Sequence, residues 1–168
     1  MNIFHSGWYL IYTKPRQEKK VHTHLAEMQI ESFFPTRRTL RTWSDRRRLI
    51  DEPLFPSYVF IHLKDMRDYY EGSDADGALY YVRTGKELAR VNEAIVKNIK
   101  LVTCQAGDIE ISYARFQPGH RLVINQGPMT GLSCEVVQCS GKDKLLVRID
   151  LLQRNLLLTL PVEDLTAV

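Results

Sequence analysis

The chain has 168 residues and a net charge of +3, with 44% hydrophobic and 26% charged residues, as is typical of a soluble globular protein. No apolar run approaches the ~20 residues of a membrane helix, and the N-terminal segment lacks the pattern of a secretory signal. Three cysteines (Cys104, Cys134 and Cys139) are too few and too irregularly spaced for a disulfide scaffold. We therefore expect a cytoplasmic protein of one or two small domains, with no membrane partner.

The predicted elements of the first part alternate between strands and helices. They are, in chain order, a strand at 8–13, a helix at about 16–28, strands at 30–35 and 55–63, a helix within 64–77, a strand at 78–84 and a helix from Asn92 with a stripe of Ile95, Ile99 and Val102. This order favours an α+β fold, with helices on one face of a largely antiparallel sheet.

The second part has a different pattern. Residues 107–116 show no clear period and are interpreted as a linker. Short strand signals then follow Pro118-Gly119, which is typical of a small β-barrel. The leucines between 145 and 156 also fit a helical period, but a turn signal before Lys144 favours strands.

The positive charge lies mainly in the first part. Residues 1–106 carry 17 Lys and Arg against 13 Asp and Glu, whereas residues 107–168 carry 6 against 7. A surface that binds a polyanion is therefore expected in the first part.

One candidate for this surface is the first predicted helix. Arg16, Lys20 and His24 recur at every fourth position, and Lys14 and Lys19 lie nearby. Lys and Arg at this spacing can follow phosphates, and His24 can donate a hydrogen bond or stack on a base. The alternative is a solvated helix face beside the buried stripe.

A second candidate is the Arg-rich stretch at residues 36–48. It contains six arginines against Asp45 alone, with Trp43 among them. A hairpin of this composition can contact nucleic acid through charge and stacking. The alternative is that this stretch is a mobile tip, whose charges serve only to keep it soluble.

The predicted sheet carries more apolar side chains than one layer of helices can cover. Both alternating faces of residues 58–63 are apolar. The uncovered face, with Tyr12, Phe55, Tyr58 and Phe60, is expected to be an exposed aromatic patch that needs a partner. The alternative is that the second domain or another copy of the chain covers it.

Motifs for catalysis and for cofactor or metal binding are not found in the sequence. Thr84-Gly85-Lys86 lacks the upstream glycine of a phosphate-binding loop, and the cysteines and histidines lack metal-ligand spacing. We therefore expect a protein that is not an enzyme and needs no cofactor or metal.

Three segments together resemble the NusG family of transcription elongation factors. They are WYLIYTKPRQEKKVHTHL (8–25), EPLFPSYVF (52–60) and PGHRLVINQGPMTGLSCEV (118–136). They occur in the family's order and span nearly the whole chain. The form EPLFPSYVF is more similar to the specialised paralogues, RfaH and UpxY-type antiterminators, than to housekeeping NusG. Cys134 departs from the family's KOW motif, which usually has glycine there.

The resemblance implies a ferredoxin-like NGN domain at 1–106, a linker at 107–116 and an SH3-like β-barrel KOW domain at 117–168. The NGN domain of the family binds the clamp helices of RNA polymerase through an apolar patch, which would comprise Tyr12, Phe55, Pro56, Tyr58, Phe60 and Tyr81. Basic side chains would face upstream or non-template DNA, namely those of Lys14, Arg16, Lys20 and His24. KOW domains of the family recruit ribosomal protein, termination factor or RNA.

The sequence therefore predicts an operon-specific antitermination factor that raises the processivity of RNA polymerase. A general housekeeping NusG is the alternative of the same type. An RNA-binding or ribosome-associated KOW protein is the alternative from another class, and it predicts tight, salt-dependent RNA binding without polymerase. A small metal-dependent enzyme would instead require stoichiometric metal.

Overall fold

The computed structural model describes residues 4–104, 109–112, 119–123, 133–139, 142–149, 154–158 and 166–167. The chain divides into two compact units, residues 1–93 and 94–168. In chain order its elements are β1 (Gly7–Thr13), α1 (Glu18–Glu27), β2 (Ser32–Phe33), β3 (Thr36–Thr42), β4 (Arg47–Pro53), β5 (Tyr58–Leu63), α2 (Met66–Ser73), β6 (Ala78–Tyr81), β7 (Arg83–Thr84), β8 (Glu87–Leu88), α3 (Glu93–Thr103), β9 (Ile109–Ser112), β10 (His120–Val123), β11 (Ser133–Cys139), β12 (Lys142–Ile149), β13 (Arg154–Leu158) and β14 (Thr166–Ala167). Within those described ranges, no helix has the length and apolar character needed to cross a membrane.

The first unit is built on a four-stranded sheet in the order β2-β5-β1-β6. All three pairings in this sheet are antiparallel. With α1 between β1 and β2, and α2 between β5 and β6, this is the split β-α-β arrangement of ferredoxin-like domains. The predicted α+β class of the first part is therefore confirmed.

One face of this sheet forms the hydrophobic core with the helices. Side chains of a strand point to alternate faces, so Tyr9 and Ile11 of β1 lie on the same side as Ile61 of β5. They form one buried cluster with Val21 and Leu25 of α1. Those two helix residues are four apart and so share one face of α1.

Helix α2 approaches the same face closely at Gly72. A Cβ atom at this position would collide with the Tyr81 hydroxyl and would lie 2.9 Å from the Ile61 side chain. The Tyr81 hydroxyl donates a hydrogen bond to the Tyr69 carbonyl oxygen at 3.0 Å, and the two rings stack at 4.8 Å. Glycine is therefore required here for the distance between helix and sheet.

The predicted Arg-rich hairpin is an ordered two-stranded ribbon outside the main sheet. Strands β3 and β4 pair in register from Thr36↔Pro53 to Thr42↔Arg47. Backbone hydrogen bonds between Trp43 and Arg46, of 2.8 and 3.3 Å, close the turn. The ribbon is inserted between β2 and β5, so it extends the chain without adding a strand to the sheet.

The second unit contains α3 and a six-stranded sheet in the order β14-β10-β11-β12-β13-β9. In the leucine-rich segment, Lys142–Ile149 form β12 and Arg154–Leu158 form β13, in agreement with the strand prediction, whereas residues 150–153 lie outside the described residues. Ile109–Ser112, within the expected linker, instead form β9 and pair with β13. Apolar alternation in a segment of four residues is too short a signal to distinguish an edge strand from a linker. Residues 124–132, in the middle of the segment PGHRLVINQGPMTGLSCEV, lie outside the described residues.

The start of α1 and the buried stripe of α3 differ from the sequence prediction. Helix α1 begins at Glu18 rather than near residue 16, because Arg16 has a left-handed backbone with φ of 62°. The buried stripe of α3 is Val96, Ile99 and Val102, with Val96 in place of the predicted Ile95. Ile95 and Val96 are adjacent, so the sequence pattern fits either choice.

Candidate functional site

Three tyrosines form a row across the sheet on the face opposite the helix-covered core. Tyr12 of β1 is the direct cross-strand partner of Tyr58 of β5 and of Tyr80 of β6. The Tyr12 ring lies 5.2 Å from the Tyr58 ring, edge-on, and 5.1 Å from the Tyr80 ring, stacked. We call these three residues the tyrosine row.

A shift in strand register exposes one end of the tyrosine row. Between Tyr12 and Thr13 the pairing with β6 skips a residue, so that Thr13 pairs with Ala78 and Leu79 is left outside the ladder. Such bulges redirect side chains at sheet edges. Tyr80 is 60% exposed and Leu79 is 48% exposed, whereas Tyr12 and Tyr58 are partly exposed. An accessible aromatic surface is therefore present, although it is smaller than predicted.

The sequence predicts that Phe55 and Phe60 belong to the exposed patch. The prediction that they are exposed is wrong. Both side chains are only 1% exposed. Phe60 is in β5, in the interior of the sheet, where it pairs with Leu10 on one side and Phe33 on the other. Its ring lies 5.6 Å from the Phe55 ring and 5.9 Å from the Phe33 ring, so the aromatic rings bury one another. The two phenylalanines lie beneath the surface and support it.

Tyr81, also predicted to belong to the polymerase-binding patch, lies on the opposite face of the sheet from the tyrosine row. It pairs with Ile11, is 5% exposed and belongs to the helix-side core. Burial there raises the pKa of its hydroxyl well above the usual range. The next residue back, Tyr80, occupies the tyrosine row because neighbouring side chains in a strand point to opposite faces. The run ALYYVRT contains both tyrosines, and its alternation alone does not say which one faces out.

The turn before Tyr58 is held by a buried carboxylate. Glu18 of α1 is 5% exposed, and its Oε1 accepts a hydrogen bond of 2.6 Å from the Ser57 backbone N–H. Ser57 has φ of 67°, a conformation that a residue other than glycine adopts at a cost. Its carbonyl oxygen also accepts from the Thr13 N–H at 2.8 Å. These two bonds position exposed Pro56 and Tyr58 beside β1.

Three of the four predicted DNA-binding residues lie together at a second surface. An open depression of about 660 Å³ is lined by Arg16, Lys20 and His24, with Lys19, Thr23, Glu27 and Asp76 completing its wall. Lys14, the fourth, is exposed in the loop before α1. Arg16 reaches the site from this loop rather than from the helix, because α1 begins two residues later. We call Lys14, Arg16, Lys20 and His24 the basic face.

Asp76 is an acidic residue at the basic face that the sequence analysis did not identify. Its carboxylate lies 2.6 Å from Lys20 Nζ, and its backbone N–H donates to His24 Nδ1 at 2.9 Å. The hydrogen bond from Lys20, followed by the charges of Lys20, Lys14 and His24, lowers the pKa of Asp76, so the carboxylate is ionised at neutral pH. One acidic group therefore offsets part of the positive charge of this surface.

Gly77 explains how Asp76 reaches the basic face. Its φ is +98°, and a Cβ there would lie 2.7 Å from Gln17 Oε1 and 3.1 Å from Val21. The Lys14 N–H donates to the Gly77 carbonyl oxygen at 2.9 Å. The loop before β6 can therefore pass close to the start of α1 only with glycine at this position.

The chemistry available at these two surfaces is binding. Within the described part of the chain, no group of three or more His, Cys, Asp or Glu side chains is arranged to hold a metal ion. The tyrosine row supplies apolar area and hydroxyls, as protein interfaces do. The basic face supplies cations suited to phosphates.

The first unit is a ferredoxin-like domain, and the tyrosine row and the basic face are its two candidate binding surfaces. A family model described as "Transcription termination factor nusG" matches residues 6–100, which is more than half of the chain. The chain therefore belongs to the NusG family, whose members are non-enzymatic transcription factors.

Similarity to one solved structure supports the assignment of the fold. A structure described as "Domain interaction in Thermotoga maritima NusG" is 18% identical in sequence, with a TM-score of 0.50 and 98% of each chain covered. The similarity to "MjSpt4:Spt5 complex conformation A" is weaker, at 12% identity and a TM-score of 0.33 over 96% of this chain and 97% of that chain. At these identities, the comparison with the Thermotoga structure concerns the fold alone.

Proposed function

We propose that this protein is an operon-specific transcription antitermination factor that binds RNA polymerase and the DNA of the transcription bubble. The tyrosine row docks on the clamp helices of the polymerase, and the basic face contacts upstream or non-template DNA. Binding of the factor favours the closed, processive state of the polymerase, since a ligand shifts a two-state equilibrium toward the state it binds better. The factor itself carries out no chemical step.

The observation that carries this proposal is the register of the tyrosine row. Three tyrosines from three strands lie side by side on the sheet face away from the helix-covered core, next to exposed Leu79 and Pro56. Aromatic residues at a rim between apolar surface and water are typical anchors of protein interfaces. Membership of the NusG family supports RNA polymerase as the protein that they bind.

Capture of RNA polymerase by the tagged full-length protein tests the docking surface. Tyr80→Ala and Tyr58→Ala should each weaken binding by about 1–3 kcal/mol, as the loss of a central aromatic contact does. Tyr70→Ala is the matched control, because Tyr70 is 62% exposed on α2 and lies outside the tyrosine row. Equal capture by the folded Tyr80 and Tyr58 variants and by the control would refute the docking surface.

The role of the second unit is proposed on the resemblance and on the strands that the structure describes. Residues 117–168 form the KOW domain and bind an accessory partner, namely a ribosomal protein, a termination factor or RNA. If the protein were instead an RNA-binding KOW protein, single-stranded RNA would bind tightly without polymerase, and that binding would persist after substitutions in the tyrosine row and after Trp43→Ala in the β3–β4 ribbon.

A further inference from the structure

The tip of the β3–β4 ribbon carries exposed apolar side chains that no part of the proposed function uses. Leu40 and Leu49 are direct cross-strand partners and so lie on the same face of the ribbon. They are 54% and 64% exposed, and Trp43 in the turn is 51% exposed. Three large apolar side chains within ten residues form an exposed patch, which usually marks a binding surface.

The base and the tip of the ribbon differ in charge. Near the base, Glu52 accepts hydrogen bonds from Arg37 at 3.0 Å and from Arg41 at 3.2 Å. Burial raises the pKa of Glu52, but hydrogen bonds from Arg37, Arg41 and Thr39 and the charge of Arg37 outweigh this and lower it. The base of the ribbon therefore holds its arginines in internal ion pairs.

At the tip the arginines outnumber the acids. Residues 42–49 contain three arginines, Arg46, Arg47 and Arg48, and one acidic residue, Asp45. Asp45 lies 3.6 Å from Arg46 in an exposed pair, a geometry that contributes little. Arg47 and Arg48 are exposed and make no ion pair with the residues that the structure describes. The tip therefore presents cations that are available to a polyanion.

A shallow pocket brings these groups together. It has a volume of about 270 Å³ and is lined by Trp43, Asp45, Arg46 and Arg48. An indole beside guanidinium groups is the combination on which unpaired bases stack while phosphates are neutralised. A carboxylate beside them can accept a hydrogen bond from an exocyclic amine of a base.

We propose that the ribbon tip is a binding site for single-stranded nucleic acid, with an unpaired base against Trp43 and the flanking phosphates on Arg46 and Arg48. The charge of the tip selects a polyanion, and the exposed ring selects a strand whose bases are free to stack. This site is separate from the basic face, since the ribbon shares no residue with it. It also does not depend on the docking of RNA polymerase.

The intrinsic fluorescence of the full-length protein tests this site directly. The chain has two tryptophans, and Trp8 is only 5% exposed in β1, so quenching by a stacked base reports on Trp43. Titration with a fifteen-residue oligothymidylate should quench the emission. Trp43→Phe should abolish the quenching and keep most of the affinity, because phenylalanine still stacks. The affinity of both variants is measured by the anisotropy of a labelled oligothymidylate, and by that measure Trp43→Ala should weaken binding roughly 5- to 150-fold.

Charge variants separate a site from general attraction. Arg48→Ala should lower the salt dependence of binding by about 0.7 in the slope of log K against log salt, as the loss of one single-strand phosphate contact does. Lys64→Ala removes one exposed positive charge away from the ribbon and should leave the slope unchanged. Equal effects of the two substitutions would contradict the proposal.

The form of nucleic acid completes the test. An oligouridylate of the same length decides whether DNA or RNA is the preferred source of the single strand, and Trp43-dependent quenching by either supports the site. A duplex of equal length should bind more weakly and quench less. Quenching by the duplex as strong as by the single strand, or no quenching at all, would overturn the proposal. Lys20→Ala should leave the quenching of Trp43 in place. A loss of DNA binding at the basic face would therefore be measured separately from binding at the ribbon tip.

Discussion

The carboxylate of Asp76 occupies the point where the proposed DNA-binding residues converge. The carboxylate forms an exposed ion pair with Lys20, and the backbone N–H of Asp76 donates a hydrogen bond to His24 Nδ1. DNA phosphates must therefore compete with Asp76 for Lys20. We therefore propose that Asp76, from the loop before β6, weakens the attraction of the basic face for DNA.

Asp76→Asn is expected to raise the affinity for DNA. The substitution removes a negative charge and releases Lys20, while the backbone N–H that His24 accepts remains. Because exposed ion pairs contribute little, we expect a gain of roughly two- to fivefold at low salt. Fluorescence anisotropy with a bubble-shaped DNA would measure it.

Two further variants show whether this gain arises from Lys20. Asp74→Asn removes an exposed acid two residues away and should give a smaller gain. In the Lys20→Ala background, Asp76→Asn should have little effect, because the released cation is no longer there. A gain of the same size in that background would exclude Lys20 as the group that Asp76 restrains.

At the scale of elements, α1 connects the two proposed surfaces. Its outer side carries Lys20 and His24, and its first residue, Glu18, binds the Ser57 backbone in the turn before Tyr58. The helix therefore positions a part of the tyrosine row as well as a part of the basic face. Glu18 is buried and Ser57 is partly buried, so losing the contact leaves a partly buried backbone N–H without its acceptor.

Glu18→Ala is expected to lower the free energy of unfolding by about 1–3 kcal/mol, the cost of an unsatisfied buried donor. It should also weaken the capture of RNA polymerase, because the Ser57 turn is released and Tyr58 loses its fixed position. Chemical denaturation and capture by the tagged protein measure the two effects. Glu18→Gln keeps an acceptor oxygen and should be milder.

Glu27→Ala is the control for this prediction. Glu27 is exposed at the other end of α1, on the side of the basic face and away from the Ser57 turn, and its side chain makes no ion pair with the described residues. It should leave both stability and polymerase capture nearly unchanged. If Glu18→Ala destabilised the protein but left capture intact, the turn would contribute to folding and not to docking.

At the scale of the whole molecule, the proposed antiterminator differs from a general elongation factor in the number of transcripts that it affects. Deleting the gene should reduce the distal transcription of one or a few long operons and leave most transcripts unchanged. Profiling of RNA along operons measures this. A loss of distal signal across most transcripts would instead indicate a housekeeping NusG. Complementation with the Tyr80→Ala variant should fail if the tyrosine row docks on polymerase.

Some features of the molecule were predictable because they arise from local patterns. The alternation of residues 8–13 and the four-residue spacing of Val21 and Leu25 depend on the neighbouring chain alone, and they predicted β1 and α1. The arginines of residues 36–48 likewise indicated a hairpin, which is the β3–β4 ribbon. The excess of apolar side chains on both sheet faces also followed from strand alternation.

Tertiary contacts decide which of the aromatic side chains are exposed and which are buried. Phe60 is 1% exposed, and the residues beside it, Leu10 of β1 and Phe33 of β2, come from distant parts of the chain. Tyr80 replaces Tyr81 at the surface because the register of β6 against β1 selects one face for each residue. A slip of one residue would exchange them, and the sequence contains no local signal that sets this register.

By itself, the sequence determined the order of the helices and main-sheet strands of the first unit, its α+β class and the segments that carry positive charge, since each is set by residues close together in the chain. Only the tertiary structure decided which rings reach water and which acid meets the basic face. Asp76 is 52 residues from His24 in the chain, yet the turn at Gly77 brings the two within hydrogen-bonding distance. Contacts between distant residues depend on how the elements pack, and packing is a property of the whole fold.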